Sequence, residues 1–250
     1  MSNKPRRETR RSQILRVFTE NGSTFDGMSQ SVIMEEIMLN FIIDEDRAAR
    51  CADFLIARFG TVKRVLSATI DEICEGGVVT EKEAGGIRLV SAFMTRVLLE
   101  RFKKPIKFDD LNTLTDYLKA LYSLECREKL YMFSVDKKGF LKHRRLISEG
   151  TYSNVQVDFG QISKFMFNEP SGRFIITHNH PNASCTPSSG DISSTAYIKN
   201  RALELGGEMA AHYIIGADGI TRVPEEFNYA YISTNYNFKF IFSSITTSHI

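Results

Sequence analysis

Nowhere in the 250 residues is there an apolar run long enough to cross a bilayer, so no membrane partner is expected. Cysteine is scarce. The chain has 4, Cys51, Cys74, Cys126 and Cys185, with no Cys-x-x-Cys pair and no framework spacing, which excludes a disulfide scaffold. Charge of one sign is scarce as well: the formal net charge is +2, so overall charge does not argue for nucleic-acid binding. The basic amino terminus is not followed by an apolar segment of the secretory kind. No internal repeat or low-complexity tract stands out. These absences together lead to the expectation of a cytoplasmic protein with reduced thiols.

What is present is ordinary for a globular protein. Hydrophobic residues make up 42% and charged residues 25%, enough apolar material for a core, and the length allows one large domain or two small ones. The charge is nevertheless uneven. Lys4, Arg6, Arg7, Arg10 and Arg11 crowd the amino terminus against a single acid, Glu8. Such an arm is either a phosphate-touching extension or a solvated, frayed end.

From Arg11 to Arg101 the apolar spacing is helical throughout. Ile14, Leu15, Val17 and Phe18 form one face, Val32, Ile33, Ile37, Met38 and Ile42 a second, and Ala52, Phe54, Leu55, Ala57 and Phe59 a third that ends at Gly60. Short helices are expected over Val62–Leu66 and Ile70–Cys74, then a long one over 84–99 whose first turn Gly85 and Gly86 weaken. Lys103-Lys104-Pro105 marks a boundary. Beyond it come a helix over Leu111–Leu121 and a hairpin of Lys129–Val135 with Phe140–Ile147. A helix or mixed element over Val155–Phe167, a buried strand from Arg173 to Thr177, a helix over Asp191–Leu205 and a last strand over His212–Ile215 follow. The expected organisation is a helical domain over 1–103, an α/β domain over 104–223 with a mixed sheet flanked by helices, and a Tyr-, Asn- and Phe-rich tail over 224–250.

One stretch carries chemistry. His178 and His180 stand two apart at the end of a strand, so both imidazoles project from one face. Pro181 and Pro187 frame a loop, and Asp191 falls in the first turn of the next helix. Two histidines, a carboxylate and an open position for water make a common catalytic zinc arrangement. The same residues also admit a plainer account. The histidines can be satisfied by backbone groups beside a turn, and Ser188 with Asp191 can form a capping box.

His178-Asn179-His180-Pro181, five residues, then Pro187-Ser188 and Asp191 closely resembles the JAMM signature of MPN/JAB-domain metalloproteases, and more narrowly the RadC family. Cys126-Arg-Glu-Lys-Leu-Tyr-Met-Phe133 is similar to the opening strand of that family, Glu149-Gly-Thr151 to its following turn and His212-Tyr-Ile-Ile215 to its closing strand. The helical region is similar to the family's helix-hairpin-helix part. The resemblance implies a JAB/MPN-type α/β (α+β) domain preceded by a helix-hairpin-helix-like domain. It implies one Zn2+ per chain on His178, His180 and Asp191, Glu128 as proton shuttle and Ser188 as oxyanion donor. The implied activity is hydrolysis of a peptide or isopeptide amide by a zinc-activated water, with a peptide or protein as substrate.

Several positions depart from the family pattern. Asn182, Ala183 and Ser184 stand where Ser-Gly-Asp is common, Ala211 replaces an acid before His212, and Gly76-Gly77-Val78 makes the hairpin turn doubtful. His212, without that acid, is read as structural. Cys185 lies in the metal loop but is not needed as a ligand. The alternative function is a DNA- or protein-binding module, related to repair or recombination, with a structural or vestigial zinc site and weak nonspecific DNA contact through the helical domain. A phosphodiesterase ranks lowest, because only one ligand set is visible.

Overall fold

A computed structural model describes residues 9–150, 159–169 and 171–224. The helical half is built from well-capped short helices: α1 (Arg10–Glu20), α2 (Gln30–Met38), α3 (Glu45–Phe59), α4 (Val62–Ser67), α5 (Ile70–Cys74) and α6 (Glu81–Leu99). Each is opened by a Ser, Thr or Asp whose side chain accepts a first-turn amide: Thr9, Ser29, Asp44, Thr61, Thr69 and Thr80. Helix α6 begins three residues before the expected Ala84. Thr80 and Glu83 form a reciprocal capping box, and Glu83 also pairs with Arg47 of α3, which together outweigh Gly85 and Gly86. Met34, Met38, Leu55, Ile73 and Ile87 are wholly buried at the centre of this half.

The hairpin turn, doubtful from sequence, does form. Gly76 (φ +96°) and Gly77 (φ +72°) both take the left-handed conformation that only glycine adopts cheaply, and they join α5 to α6. Of the basic arm, Arg10 and Arg11 fold back onto α2, pairing with Glu35 (2.6 Å) and Glu36 (3.3 Å). Residues 1–8 lie outside the described residues.

The second half comprises α7 (Leu111–Leu121), β1 (Lys129–Val135), β2 (Leu141–Glu149), α8 (Phe159–Asn168), β3 (Arg173–Asn179), α9 (Ser189–Glu204), β4 (Glu208–Gly216) and β5 (Gly219–Arg222). The sheet order is β2-β1-β3-β4-β5, with β3 and β4 parallel and every other neighbouring pair antiparallel. This is the mixed sheet with flanking helices that the sequence led us to expect. Strand β3 runs two residues further than read, through His178 and Asn179, and β4 starts at Glu208. Strand β5 was not anticipated, since only four residues follow the turn at Ala217-Asp218. Of the element expected over Val155–Phe167, the helical part runs from Phe159; residues 151–158, and the tail from 225 onward, lie outside the described residues.

Strand alternation gives each sheet face its own core. Phe133, Val135, Ile175, Tyr213 and Ile215 pack with Leu114, Leu118 and Leu121 of α7, while Leu130, Met132, Phe174 and Ile176 pack with α8 and α9. Helix α9 is the crossover between the parallel strands β3 and β4, so the carboxyl end of β3 and the amino end of α9 face one another. The order of the sheet also turns at β3, which has an antiparallel neighbour on one side and a parallel one on the other. Ligands of open α/β sheets gather at such a place. Among the described residues, no helix is long and apolar enough to cross a membrane.

Candidate metal centre

The two faces of β3 explain where each histidine goes. His178 follows Phe174 and Ile176 on the α9 side, and His180 continues the alternation one residue beyond the strand. His178 is 3% exposed, so its imidazole is committed to the interior. The Nε2 atoms of His178 and His180 lie 3.0 Å apart. Asp191 Oδ1 is 3.1 Å from His178 Nε2, and Oδ2 is 3.5 Å from His180 Nε2. Ligand atoms of the three residues all lie within 4.8 Å of one another.

The remaining ring nitrogens fix which atom faces the cluster. His180 Nδ1 sits 2.8 Å from the Ser184 carbonyl, which can only accept, so Nδ1 carries the proton and Nε2 turns a lone pair inward. His178 Nδ1 lies 2.8 Å from His212 Nε2, and His212 Nδ1 lies 2.6 Å from Thr195 Oγ1. Thr195 Oγ1 donates to the Asp191 carbonyl at 2.5 Å. With every donor used once, the protons run His178 to His212 to Thr195 to the backbone of Asp191. That leaves His178 Nε2 as a lone pair as well.

The donor set fits a single zinc ion. Two nitrogens each ~2.0–2.1 Å from a tetrahedral zinc lie ~3.3 Å apart, close to the observed separation. Each of the two imidazoles has an orienting partner on its second nitrogen, as metal-bound histidines generally do.

The electrostatics follow from this crowding. Burial alone would raise the Asp191 carboxyl, but in the state where the Nε2 atoms of His178 and His180 carry protons rather than face a metal, their hydrogen bonds and the one from Ser188 outweigh it and hold the group far below the usual carboxylate range. The hydrogen bond with Asp191 raises His180, with burial opposing and the Ser184 carbonyl and the charge of Glu128 adding to the rise. Burial, with the charge of His178 next, keeps His212 well below its ordinary value, so it is neutral.

Ser188 is the N-cap of α9 and makes the full capping box. Its hydroxyl accepts from the Asp191 amide at 3.1 Å and donates to Asp191 Oδ2 at 2.6 Å, while the Ser188 amide reaches the same oxygen at 2.8 Å. Oδ2 is therefore held by the cap and Oδ1 is left for the cluster. One side chain can therefore serve the cap and still offer an oxygen to the cluster.

Glu128 is half-buried immediately ahead of β1, and its carbonyl accepts the Gly150 amide at 3.0 Å. Extending the Leu130–His178 register by two residues sets Glu128 opposite His180. Cys185 takes no part in the cluster. Its thiol contacts Thr221 Oγ1 at 3.0 Å and its amide donates to Asp218.

Sequence reasoning missed the loop's fastening. Asp218 accepts from Cys185 N and Ser184 Oγ, both at 2.7 Å; the Ser184 hydroxyl first, then the Cys185 amide, lower its carboxyl to about 2. His212, read as structural, in fact touches a metal-ligand candidate, and Thr195 stands behind it. One cue was available: His212 lies near the middle of a buried strand parallel to the one bearing His178.

A mixed sheet with a two-histidine, one-carboxylate cluster at the carboxyl end of β3 defines a JAB-type domain. Residues 108–226 match the family described as RadC-like JAB domain. A UPF0758 protein of Ruegeria pomeroyi is 27% identical over 181 residues, covering 72% of this chain and 81% of that protein. A UPF0758 protein of Clostridium botulinum is 28% identical over 175 residues, 69% and 76% of the two chains. One of Stutzerimonas stutzeri is 25% identical over 169 residues, 68% and 75%. Residues 108–226 thus match a RadC-like JAB domain, and the chain is similar to these UPF0758 proteins over about two thirds of its length.

Proposed function

We propose that this protein is a zinc-dependent metallohydrolase of the JAMM type, acting on a peptide or isopeptide amide. One observation carries the reading: His178 Nε2, His180 Nε2 and Asp191 Oδ1 converge while the second nitrogen of each imidazole and the second oxygen of the carboxylate are engaged elsewhere. Zinc, when bound, supplies Lewis acidity and lowers the pKa of a coordinated water towards ~7. Glu128 takes a proton and returns it to the leaving amine. Ser188 donates to the developing oxyanion, for which its hydroxyl turns away from Asp191 Oδ2.

The test is elemental analysis of the purified protein beside a His178→Ala/His180→Ala variant, followed by a panel of peptides and isopeptide-linked peptides read by mass spectrometry. About one zinc per chain that the double variant loses, with cleavage that Glu128→Gln abolishes, is the expected result. Wild-type protein that takes up no zinc on reconstitution would rule the reading out.

A second reading, a DNA-binding module, is favoured by the Gly76-Gly77 turn between α5 and α6, which leaves a helix-hairpin-helix-like geometry. Against it, Glu75 and Glu81 are exposed on either side of that turn. Affinity for duplex DNA that falls with salt and drops when Gly77 is replaced would support it; affinity indifferent to the turn would not.

A further inference from the structure

The antiparallel ladder between β1 and β3 ends at the pair Leu130–His178, just where the chain bearing Glu128 begins. Beyond that point the backbone of β3 turns to β4, the His180 amide donating to the Ile215 carbonyl at 2.8 Å. Backbone pairing therefore leaves the peptide groups around Glu128 without partners from β3. A side chain fills the gap. Asn179 Oδ1 accepts the Lys129 amide at 2.8 Å, and Asn179 Nδ2 donates to the Arg127 carbonyl at 2.9 Å. The amide plane of Asn179 thus imitates one more rung of the ladder and grips the two residues that flank Glu128.

The grip is rigid for three reasons. Asn179 is 4% exposed, so water does not compete for either bond. Its backbone lies between the two histidines, so it moves with them. The far side of the same segment is also held. Ser67 of α4 accepts the Cys126 amide at 2.9 Å, Arg127 pairs with Glu72 of α5, and buried Lys129 pairs with Glu125 at 2.6 Å. Of these anchors, Asn179 alone joins the Glu128 segment to the strand that carries the histidines.

We infer that Asn179 is a positioning residue: it sets the place of Glu128 relative to the metal cluster without touching metal or substrate. The inference rests on the zinc-hydrolase reading above. It assigns the residue between the two histidines a duty of its own, one that alanine or valine in that place would not perform.

The test uses the full-length protein loaded with Co2+, whose visible bands report the coordination sphere and need no substrate. The proteins are wild type, Glu128→Gln, Asn179→Ala and Asn179→Asp, with Tyr122→Phe as control. Tyr122 is buried and bonds the Thr177 carbonyl and hydroxyl of the same strand at 2.9 and 2.8 Å, so its loss weakens β3 without touching the Glu128 segment. Glu128→Gln is expected to change the bands. Asn179→Ala should reproduce most of that change, while metal affinity falls far less than the ~10–100-fold typical of losing a ligand's own hydrogen-bond partner. Asn179→Asp keeps the acceptor for Lys129 and loses the donor to Arg127, so an intermediate spectrum is expected; it also serves if the alanine variant does not fold. Tyr122→Phe should keep the wild-type bands. Wild-type bands in a folded Asn179 variant, beside altered bands in Glu128→Gln, would overturn the positioning role alone. Bands that Glu128→Gln leaves unchanged, or failure to bind Co2+, would overturn it together with the reading beneath it.

Discussion

His178 Nδ1 and His212 Nε2 are 2.8 Å apart in the buried space between β3, β4 and α9, so a candidate ligand leans on a histidine from the neighbouring parallel strand. The neutral state of His212 matters here, because only a neutral imidazole can accept on Nε2 while donating from Nδ1 to Thr195. The acid that commonly precedes this histidine is Ala211 here, which is fully buried in the other core, so the acid's loss does not disturb the relay.

Replacing His212 by phenylalanine keeps a buried, somewhat larger aromatic ring and removes the acceptor. Zinc affinity, measured by competition with a chromophoric chelator, should fall ~10–100-fold, with the fold retained by circular dichroism. Affinity equal to wild type would mean that the His178–His212 contact does not orient the ligand.

The clustering of His178, His180 and Asp191 and the helix start beside it were legible in sequence because they depend on local rules: period-two alternation through His178 and His180, and a Ser-x-x-Asp cap. Helix α6 was legible except at its start, where a capping box overruled glycine propensity. His212, Thr195, Asp218 and Asn179 were not legible. Their partners stand 34, 17, 33 and 50 residues away, and only the packing of sheet, helix and loop brings them together. Strand β5 escaped for a similar reason. Its four residues pair with β4, and no pattern that short announces itself.

Gly216 is where the metal loop presses on the end of β4. A Cβ there would lie 2.3 Å from Cys185 N, 2.6 Å from Ser184 C and 2.7 Å from Ala183 O, all of them backbone atoms that cannot swing aside. Gly216→Ala should therefore push the loop away, costing ~1–3 kcal/mol as overpacking does. It should also pull the Ser184 carbonyl from His180 Nδ1 and weaken zinc binding along with stability. Urea denaturation and chelator competition on one preparation check both; a stable variant with full affinity would show that the loop tolerates the shift.

The helical half has its own acid-sensitive joint. Hydrogen bonds from Arg47, with Thr80 adding to them against the cost of burial, hold Glu83 at about 2, below its ordinary 4.5. A carboxyl depressed on folding contributes stability that is present above its unfolded pKa and lost as pH falls from about 5 towards 2. Arg47 is partly exposed, so the contribution is reduced by solvent to about 1–2 kcal/mol. Glu83→Gln should lose that amount at pH 7 and about half of it or less at pH 3. Urea melts at the two values check it, and an unchanged difference between them would remove Glu83 from the acid response.

Ser188 and Asp191 share a capping box, so losing either should cost ~1 kcal/mol of stability through the start of α9. Their chemistry separates them. Asp191 turns Oδ1 to His178 and has Oδ2 within 3.5 Å of His180, whereas Ser188 reaches only the cap and Oδ2. Asp191→Ala should therefore lose zinc, and Ser188→Ala should keep it. On a cleaved peptide or isopeptide, Ser188→Ala should lower kcat ~10²–10³-fold, the usual cost of one oxyanion donor, with zinc content near one per chain. Zinc analysis, thermal melting and turnover on the same pair of variants distinguish the possibilities. If both variants melt alike and both keep zinc, Asp191 is a cap and nothing more, and the metal centre must be rebuilt without it. If Ser188→Ala loses zinc too, the cap is what aims the carboxylate, and Ser188 acts on the metal through Asp191 rather than on the substrate.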